Sequence, residues 1–279
     1  MQERIPLIML LEGAGHRPPL PDDPPSFRTP GDLQAQADAS GRIPLATAVL
    51  GPSAGHGALS APLADFTVMT EKASILTAGP PLVKASLGED ITKEELGGPE
   101  IALHSGVIHN LARNDESALE QIRTWLSYLP SSAWQAPIRL ADAEGERTVN
   151  ELLDIIPENP KQAYDMHDVI NIVADSGSVF TIQPMFGQSL ITCFARLSGR
   201  PVAIVANQPQ HMAGSITVEA ADKATQFIQV ADSFHLPLIF LTDNPGVLAG
   251  SSSEKAGILR HAGRMFLAQH HATVPKIQV

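Results

Sequence analysis

Cysteine is almost missing from this chain: Cys193 alone can form no internal disulfide and no thiolate metal cluster, which fits a reducing compartment. It lies in the apolar run Leu190–Ala195 and reads as a packed strand residue, not as a reactive thiol. Long apolar runs are missing too, since Ile5–Leu11 falls far short of the ~18 residues that span a bilayer. That stretch runs into the turn Glu12–Gly15 and not into a cleavage site, so a cytoplasmic protein with no signal peptide and no membrane partner is expected. Basic charge is scarce. Against 30 Asp and Glu stand 19 Lys and Arg, a net charge of −11 that disfavours nucleic acid and anionic lipid. Any anionic ligand therefore needs a local basic patch. The ten histidines contain no His-Glu-x-x-His pattern, and His270 and His271 are adjacent, poorly placed to share one ion, so no metal is expected.

What is present is a folded chain. Its 279 residues, 43% hydrophobic, allow one large domain or two modest ones, and the 21 Gly and 23 Pro stay below the disordered range. An internal repeat organises it. Ile5–Gly15 aligns without a gap on Leu236–Gly246, an offset of 231 from Ile5 to Leu236, and both copies read as a buried strand, an acid and a glycine turn. The same offset pairs Ile43–Ala48 with Val274–Val279.

In the second copy Pro201–Ala206 reads as a strand, and Ala220, Ala224, Phe227, Ile228, Ala231 and Phe234 recur at helical spacing. Pro237–Leu241 is the next strand, Ser251–Ser253 caps a helix running to about His271, and a last strand begins near Val274. Between the copies Leu119, Ile122, Leu126 and Leu129 mark a helix capped by Asn114 or Asp115. Residues 131–163, rich in proline and acid, read as a linker with a short helix near Val149–Ile155.

Two motifs carry candidate chemistry. Gly13-Ala14-Gly15 after a strand invites a dinucleotide fingerprint, but Pro18 and Pro19 stand where its helix would start. Gly51-Pro52-Ser53-Ala54-Gly55 satisfies the G-x-S-x-G elbow of a serine hydrolase with Ser53 as nucleophile. The other use of such a loop is its backbone: glycines let successive N–H groups approach a ligand carbonyl and form an oxyanion hole.

The loop Gly51–Ala58, leading through Asp65–Met69, resembles the G-P-C-A-G-G-A…D-F segment of the carboxyltransferase (beta) subunits of biotin-dependent acyl-CoA carboxylases, of the propionyl-CoA carboxylase kind. Glu94–Gly98, Leu126–Pro130, Tyr164–Met166, Gly199–Val202, Ala206–Pro209 and Ala272–Pro275 are similar to that family in the same order. The resemblance implies an α/β fold of two crotonase-like (ClpP/crotonase) domains: 1–130 on the acyl-CoA side, the linker 131–163, and 164–279 on the biotin side. It implies that both are truncated, the first lacking its N-terminal part and the second its C-terminal part.

The activity it implies is transfer of a carboxyl group from carboxybiotin to the α-carbon of an acyl-CoA of the propionyl or acetyl class. Biotin comes on the carrier domain of a biotin carboxylase partner subunit, the coenzyme A thioester is the substrate, and the assembly is a dimer-based homo-oligomer, hexameric in the family. Main-chain N–H groups hold the enolates. Carried over residue by residue, the oxyanion donors are Gly55 and His56, the substrate-binding residues are Ala14, Gly15, Gly57 and Ala58, and the biotin side is Ala213, Gly214 and Ser215. His56 departs from the family, which has Gly-Gly there. The readings that compete are the serine hydrolase at Ser53 and an inactive fragment that only oligomerises.

Overall fold

Four strands of this protein begin immediately after a proline, at Pro6, Pro44, Pro237 and Pro275, and that punctuation sets the register of two sheets. Proline has no N–H to give to a ladder, so it is confined to strand starts, edges and bulges. The computed structural model describes residues 3–13, 15, 22, 31–141, 145, 148–159 and 162–279. It divides into two compact units, Met1–Arg123 and Thr124–Val279.

The first unit runs β1 (Leu7–Gly13), α1 (Gly31–Ala39), β2 (Leu45–Ala54), a 3-10 turn at Gly55–Ser60, β3 (Phe66–Thr70) and β4 (Ser74–Leu76). It continues through α2 (Pro80–Leu87), α3 (Lys93–Gly97), α4 (Pro99–His104), β5 (Asn110–Ala112) and α5 (Asp115–Leu126), whose start is capped by the Asn114 side chain accepting from Ser117 N–H at 2.9 Å. The sheet order is β1-β2-β3-β5 with β4 also on β2, and every pair is parallel. Val49, Met69, Ala102, Leu103 and Ile108 pack the helices α3–α4 side of this sheet into a core.

One irregularity aims the chain at the site. β2 pairs with β1 at Leu11↔Val49 and resumes only at Gly13↔Ser53, a bulge centred on Gly51. A Cβ on Gly51 would lie 2.8 Å from the Glu12 side chain, so glycine is what fits there. Beyond the bulge β2 leaves β3 and pairs with β4 through Ser53↔Ile75 and Ala54↔Leu76, which delivers Gly55 to the end of β4.

The second unit contains α6 (Leu152–Ile155), α7 (Met166–Val173), β6 (Phe180–Ile182), β7 (Leu190–Leu197), β8 (Arg200–Asn207), α8 (Val218–Ser233), β9 (Leu238–Leu241), α9 (Ser251–Ala256), α10 (Ile258–His271) and β10 (Lys276–Gln278). Its order is β10-β9-β8-β7-β6, parallel from β10 to β8 and antiparallel from there on. Ile170, Ile191, Cys193, Ile204 and Ile239 fill a core in which burial pushes the Cys193 thiol up to about 12. Part of the expected linker bonds within this unit: Leu140 donates its N–H to the Gly199 carbonyl at 3.0 Å. The helix expected over 251–271 is broken at Gly257, whose φ of +81° suits glycine and ends α9 before α10 starts.

The repeat is reproduced residue for residue. Leu7 pairs with Leu45 in the first unit as Leu238 pairs with Lys276 in the second, and Ile8↔Ala46 matches Ile239↔Ile277. The opening bonds match as well: Leu7 N–H reaches the Pro44 carbonyl at 2.9 Å, and Leu238 N–H the Pro275 carbonyl at 2.9 Å.

Candidate active site

In the first unit the end of β2, the 3-10 turn, the end of β4 and the helices α3 and α4 surround a largely apolar cavity of about 660 Å³. Gly55 and His56 line it from the turn, together with Ala58 and Leu59; Ile75–Thr77, Leu96, Ile101 and Val107 form the other walls. Gly55 takes the left-handed conformation at φ +69°, which turns the chain at the strand end. The first N–H groups of any helical turn lack an intrahelical acceptor, and this turn opens beside the apolar space. Such a cavity with a few polar groups at one end suits a small-molecule ligand.

The imidazole of His56 is oriented from α1. Its Nε2 lies 2.9 and 3.0 Å from the two carboxylate oxygens of Asp32, and this hydrogen bond holds the Asp32 carboxyl below its usual range. His56 also lines a second, smaller space of about 260 Å³ with Glu12, Gly13, Gly15, Ser53 and Gly57. Gly15 at φ +79° lies against Ala54, where a Cβ would come within 3.0 Å of the Ala54 carbonyl oxygen. Ala14 lies outside the described residues.

The Ser53 elbow is not formed. Ser53 is buried within β2, its backbone paired to Ile75, and no histidine hydrogen-bonds it among the described residues. An elbow nucleophile sits exposed on a strained strand-to-helix turn. Here the turn begins two residues later, at Gly55.

In the second unit Ala213, Gly214 and Ser215 lie on a short 3-10 turn after β8. Met212, Ala213 and Gly214 all have left-handed backbone, at φ +49°, +53° and +72°, a run of strain of the kind that concentrates at functional sites. Gly214 has no alternative, because a Cβ there would overlap the Asp243 carbonyl. Asn207 at the end of β8 ties this turn down: its Nδ2 donates to the Gly214 carbonyl at 2.9 Å, while its Oδ1 accepts from Asn244 Nδ2 at 2.9 Å. Tyr164 donates to the Asp243 carboxylate at 2.9 Å, and burial together with Asp243 pushes its phenol up to about 12. These groups gather at the carboxyl ends of the parallel strands β8 and β9, where open α/β sheets bind ligands.

Sequence reasoning missed two parts of this picture. Asp32, 24 residues from His56, left no signal in spacing. Gly97 and Gly98 were recognised only as part of a resemblance, yet a Cβ on Gly97 would overlap the Ile75 carbonyl, so glycine lets α3 lie directly on β4 and close the cavity. The capping box Thr92–Glu95 ahead of a Gly-Gly doublet was the available hint, as it predicts a short helix stopped abruptly.

Comparison with known proteins bears on the family and the fold. The carboxyl transferase domain profile matches residues 1–279. The chain is 38% identical over 283 residues to the propionyl-CoA carboxylase, carboxyltransferase subunit of Haloferax mediterranei, covering 100% of this chain and 54% of that one. It is 41% identical over 244 residues to the mitochondrial propionyl-CoA carboxylase beta chain of Homo sapiens, covering 86% of this chain and 45% of that protein. The chain thus spans about half the length of the curated relatives it matches. Among solved structures, the transcarboxylase 12S hexamer with methylmalonyl-coenzyme A bound superposes with a TM-score of 0.92 at 36% identity, over 99% of this chain and 54% of that one. A single-chain, multi-domain long-chain acyl-CoA carboxylase gives 0.89 at 30% identity, over 99% and 27%. Two units built on one strand repeat, with the crotonase-like fold of these enzymes and a family match along the whole sequence, make this chain a member of the carboxyl transferase domain family.

Proposed function

We propose that this chain works in the transfer of a carboxyl group between a biotin carrier and the α-carbon of an acyl-CoA, with the thioester on the first unit and the biotin ring on the second. The observation that carries the reading is the apolar cavity that ends on the Gly55–His56 turn, in a chain matched by the family from end to end. In this reading the N–H groups of Gly55 and His56 accept the developing negative charge of the thioester oxygen, a role typically worth ~10²–10³ in rate per donor. Gly15, Gly57 and Ala58 keep side chains out of the thioester's path, and Ala14 belongs to the same turn by sequence. Leu59, Ile75 and Ile101 hold the acyl group and exclude water.

On the second unit Ala213, Gly214 and Ser215 receive the biotin ring. The residues fit an uncharged ureido ring: Ala213 offers exposed backbone with only a methyl group beside it. When bound, biotin supplies the carboxyl group and the base. A biotin carboxylase or carrier subunit is the partner that brings it, a dimer-based homo-oligomer is the assembly, and the propionyl or acetyl class is the substrate. The buried, free Cys193 supports a cytoplasmic setting. Among the described residues no helix is long and apolar enough to cross a membrane.

Ile101 tests the reading with little risk to folding, since its side chain lines the cavity while about half exposed (47%). Ile101→Trp is expected to weaken propionyl-CoA binding at least tenfold by calorimetry, and to slow transfer from carboxybiotin equally. Unchanged binding with a normal melting temperature would place the thioester elsewhere.

A further inference from the structure

A residue that departs from the family resemblance, His56, also has a ring nitrogen with no hydrogen-bond partner among the described residues. A carboxylate only accepts, so the bonds of 2.9 and 3.0 Å to Asp32 require His56 Nε2 to carry the ring proton. In the neutral ring Nδ1 is then left with its lone pair, and among the described residues nothing is hydrogen-bonded to it. His56 is among the residues that line both the apolar cavity at the Gly55 turn and the smaller space beside Glu12. A histidine oriented by a carboxylate, with its second nitrogen free beside an oxyanion-binding turn, is the arrangement of a general base.

We propose that His56, positioned by Asp32, removes and returns the α-proton of an acyl thioester in the first-unit cavity, so that this chain exchanges α-protons with solvent in the absence of biotin. The proposal rests on the reading of that cavity as the thioester site. In the step the Cα–H bond breaks and its proton goes to Nδ1; its electron pair forms the enolate double bond, and the charge moves to the thioester oxygen at the Gly55–His56 turn. The imidazolium keeps its Nε2 proton, which stays hydrogen-bonded to the Asp32 carboxylate. It then trades its Nδ1 proton with water and returns one to the α-carbon. Nothing is oxidised or reduced, and the thioester is recovered.

The test is incubation of the whole chain with propionyl-CoA in D₂O, without biotin, following loss of the α-proton signal by NMR against a blank without protein. The wild type is expected to exchange well above the blank. His56→Gln should lower exchange by ~10²-fold or more, the usual contribution of a positioned base. Asp32→Asn should lower it less, and Asp32→Glu should restore part of it, with melting temperatures of all three unchanged; a purely structural Asp32 would move melting and leave the exchange ratio alone. His56→Gly, which installs the residue type of the resembling family, is the second loss variant. Wild-type protein that binds propionyl-CoA by calorimetry but exchanges no faster than the blank overturns the base assignment alone, as does full exchange in either His56 variant. Wild-type protein that does not bind propionyl-CoA overturns the thioester-site reading and this proposal with it.

Discussion

β1 and β9 are the same strand written twice, and they live in different surroundings. Each starts after a proline, runs through Leu-Ile, pairs parallel with its partner in an identical register, and ends in an acid and a positive-φ glycine, Glu12 and Gly15 or Asp243 and Gly246. β9 is sandwiched between β8 and β10, with Leu238 fully buried. β1 is the edge of its sheet among the described residues, and Leu7 and Leu10 are 39% and 56% exposed. Register follows from the local pattern, while burial follows from who lies alongside. An apolar edge of this kind is also a template for pairing with another strand.

The strongest way to break the comparison is to truncate the equivalent leucines. Leu238→Ala is expected to destabilise the second unit by ~2–5 kcal/mol, as for other fully buried leucines, whereas Leu7→Ala should stay within ~1 kcal/mol; urea unfolding of the two variants gives the contrast. Equal losses would mean that β1 is covered in solution.

The turns come next. Gly214→Ala places a Cβ against the Asp243 carbonyl at a φ of +72°, for an expected loss of ~1–3 kcal/mol, and it should weaken interaction with a biotinylated carrier. Gly13→Ala, with open space around it and ordinary backbone, should be nearly neutral in the same melts. A tolerated Gly214→Ala would show that the strained turn relaxes at no cost.

The last contrast is in pH, and here the units differ in sign. Lys223 on α8 is almost wholly buried, donating to the carbonyls of Phe186 at 2.6 Å and Gln183 at 3.3 Å, and burial lowers it from 10.5 to about 7. The unfolded chain binds the extra proton between those values, so stability of the second unit rises as pH goes from about 7 towards 10.5. Asp65 accepts from Leu45 N–H at 2.8 Å, and burial raises it from 3.8 to about 7. There the folded state binds the extra proton, so stability of the first unit falls as pH rises from 3.8 to about 7. The Asp65 effect is the weaker, since part of that residue still reaches solvent. Lys223→Met should flatten the alkaline rise and Asp65→Asn the acidic fall, each read from urea midpoints across pH. Slopes that survive both substitutions would assign them to other groups.

Much of the fold was legible because its signals are local. The apolar spacing from Ala220 to Ala231 marks the buried face of α8, and Thr217 caps it by accepting from Ala220 N–H at 3.2 Å. Asn114 caps α5 as its side-chain chemistry predicts. Less visible was the sharp β7–β8 connection, where Ser198 and Gly199 both turn left-handed at φ +49° and +76°, because a serine carries little preference for that state. The same limit hid the stop at Gly257, a lone glycine inside an otherwise continuous helical pattern. Ser53 was legible as a motif and misleading as a site, since five residues do not say which neighbour a strand will pair with.

The sequence alone determined the duplication, the proline-containing apolar strands within it and the glycine turns at their ends. These depend on backbone chemistry within a few residues: a missing N–H, an alternating apolar face, a conformation only glycine takes freely. Tertiary structure decided the rest. It brought Asp32 to His56 across 24 residues and set Asn207 between Gly214 and Asn244. It buried Lys223 among carbonyls and left β1 exposed where β9 is covered. Hydrogen bonding between distant side chains, solvent exclusion and the shift of a proton's affinity are properties of what lies nearby in space, and only the folded chain chooses those neighbours.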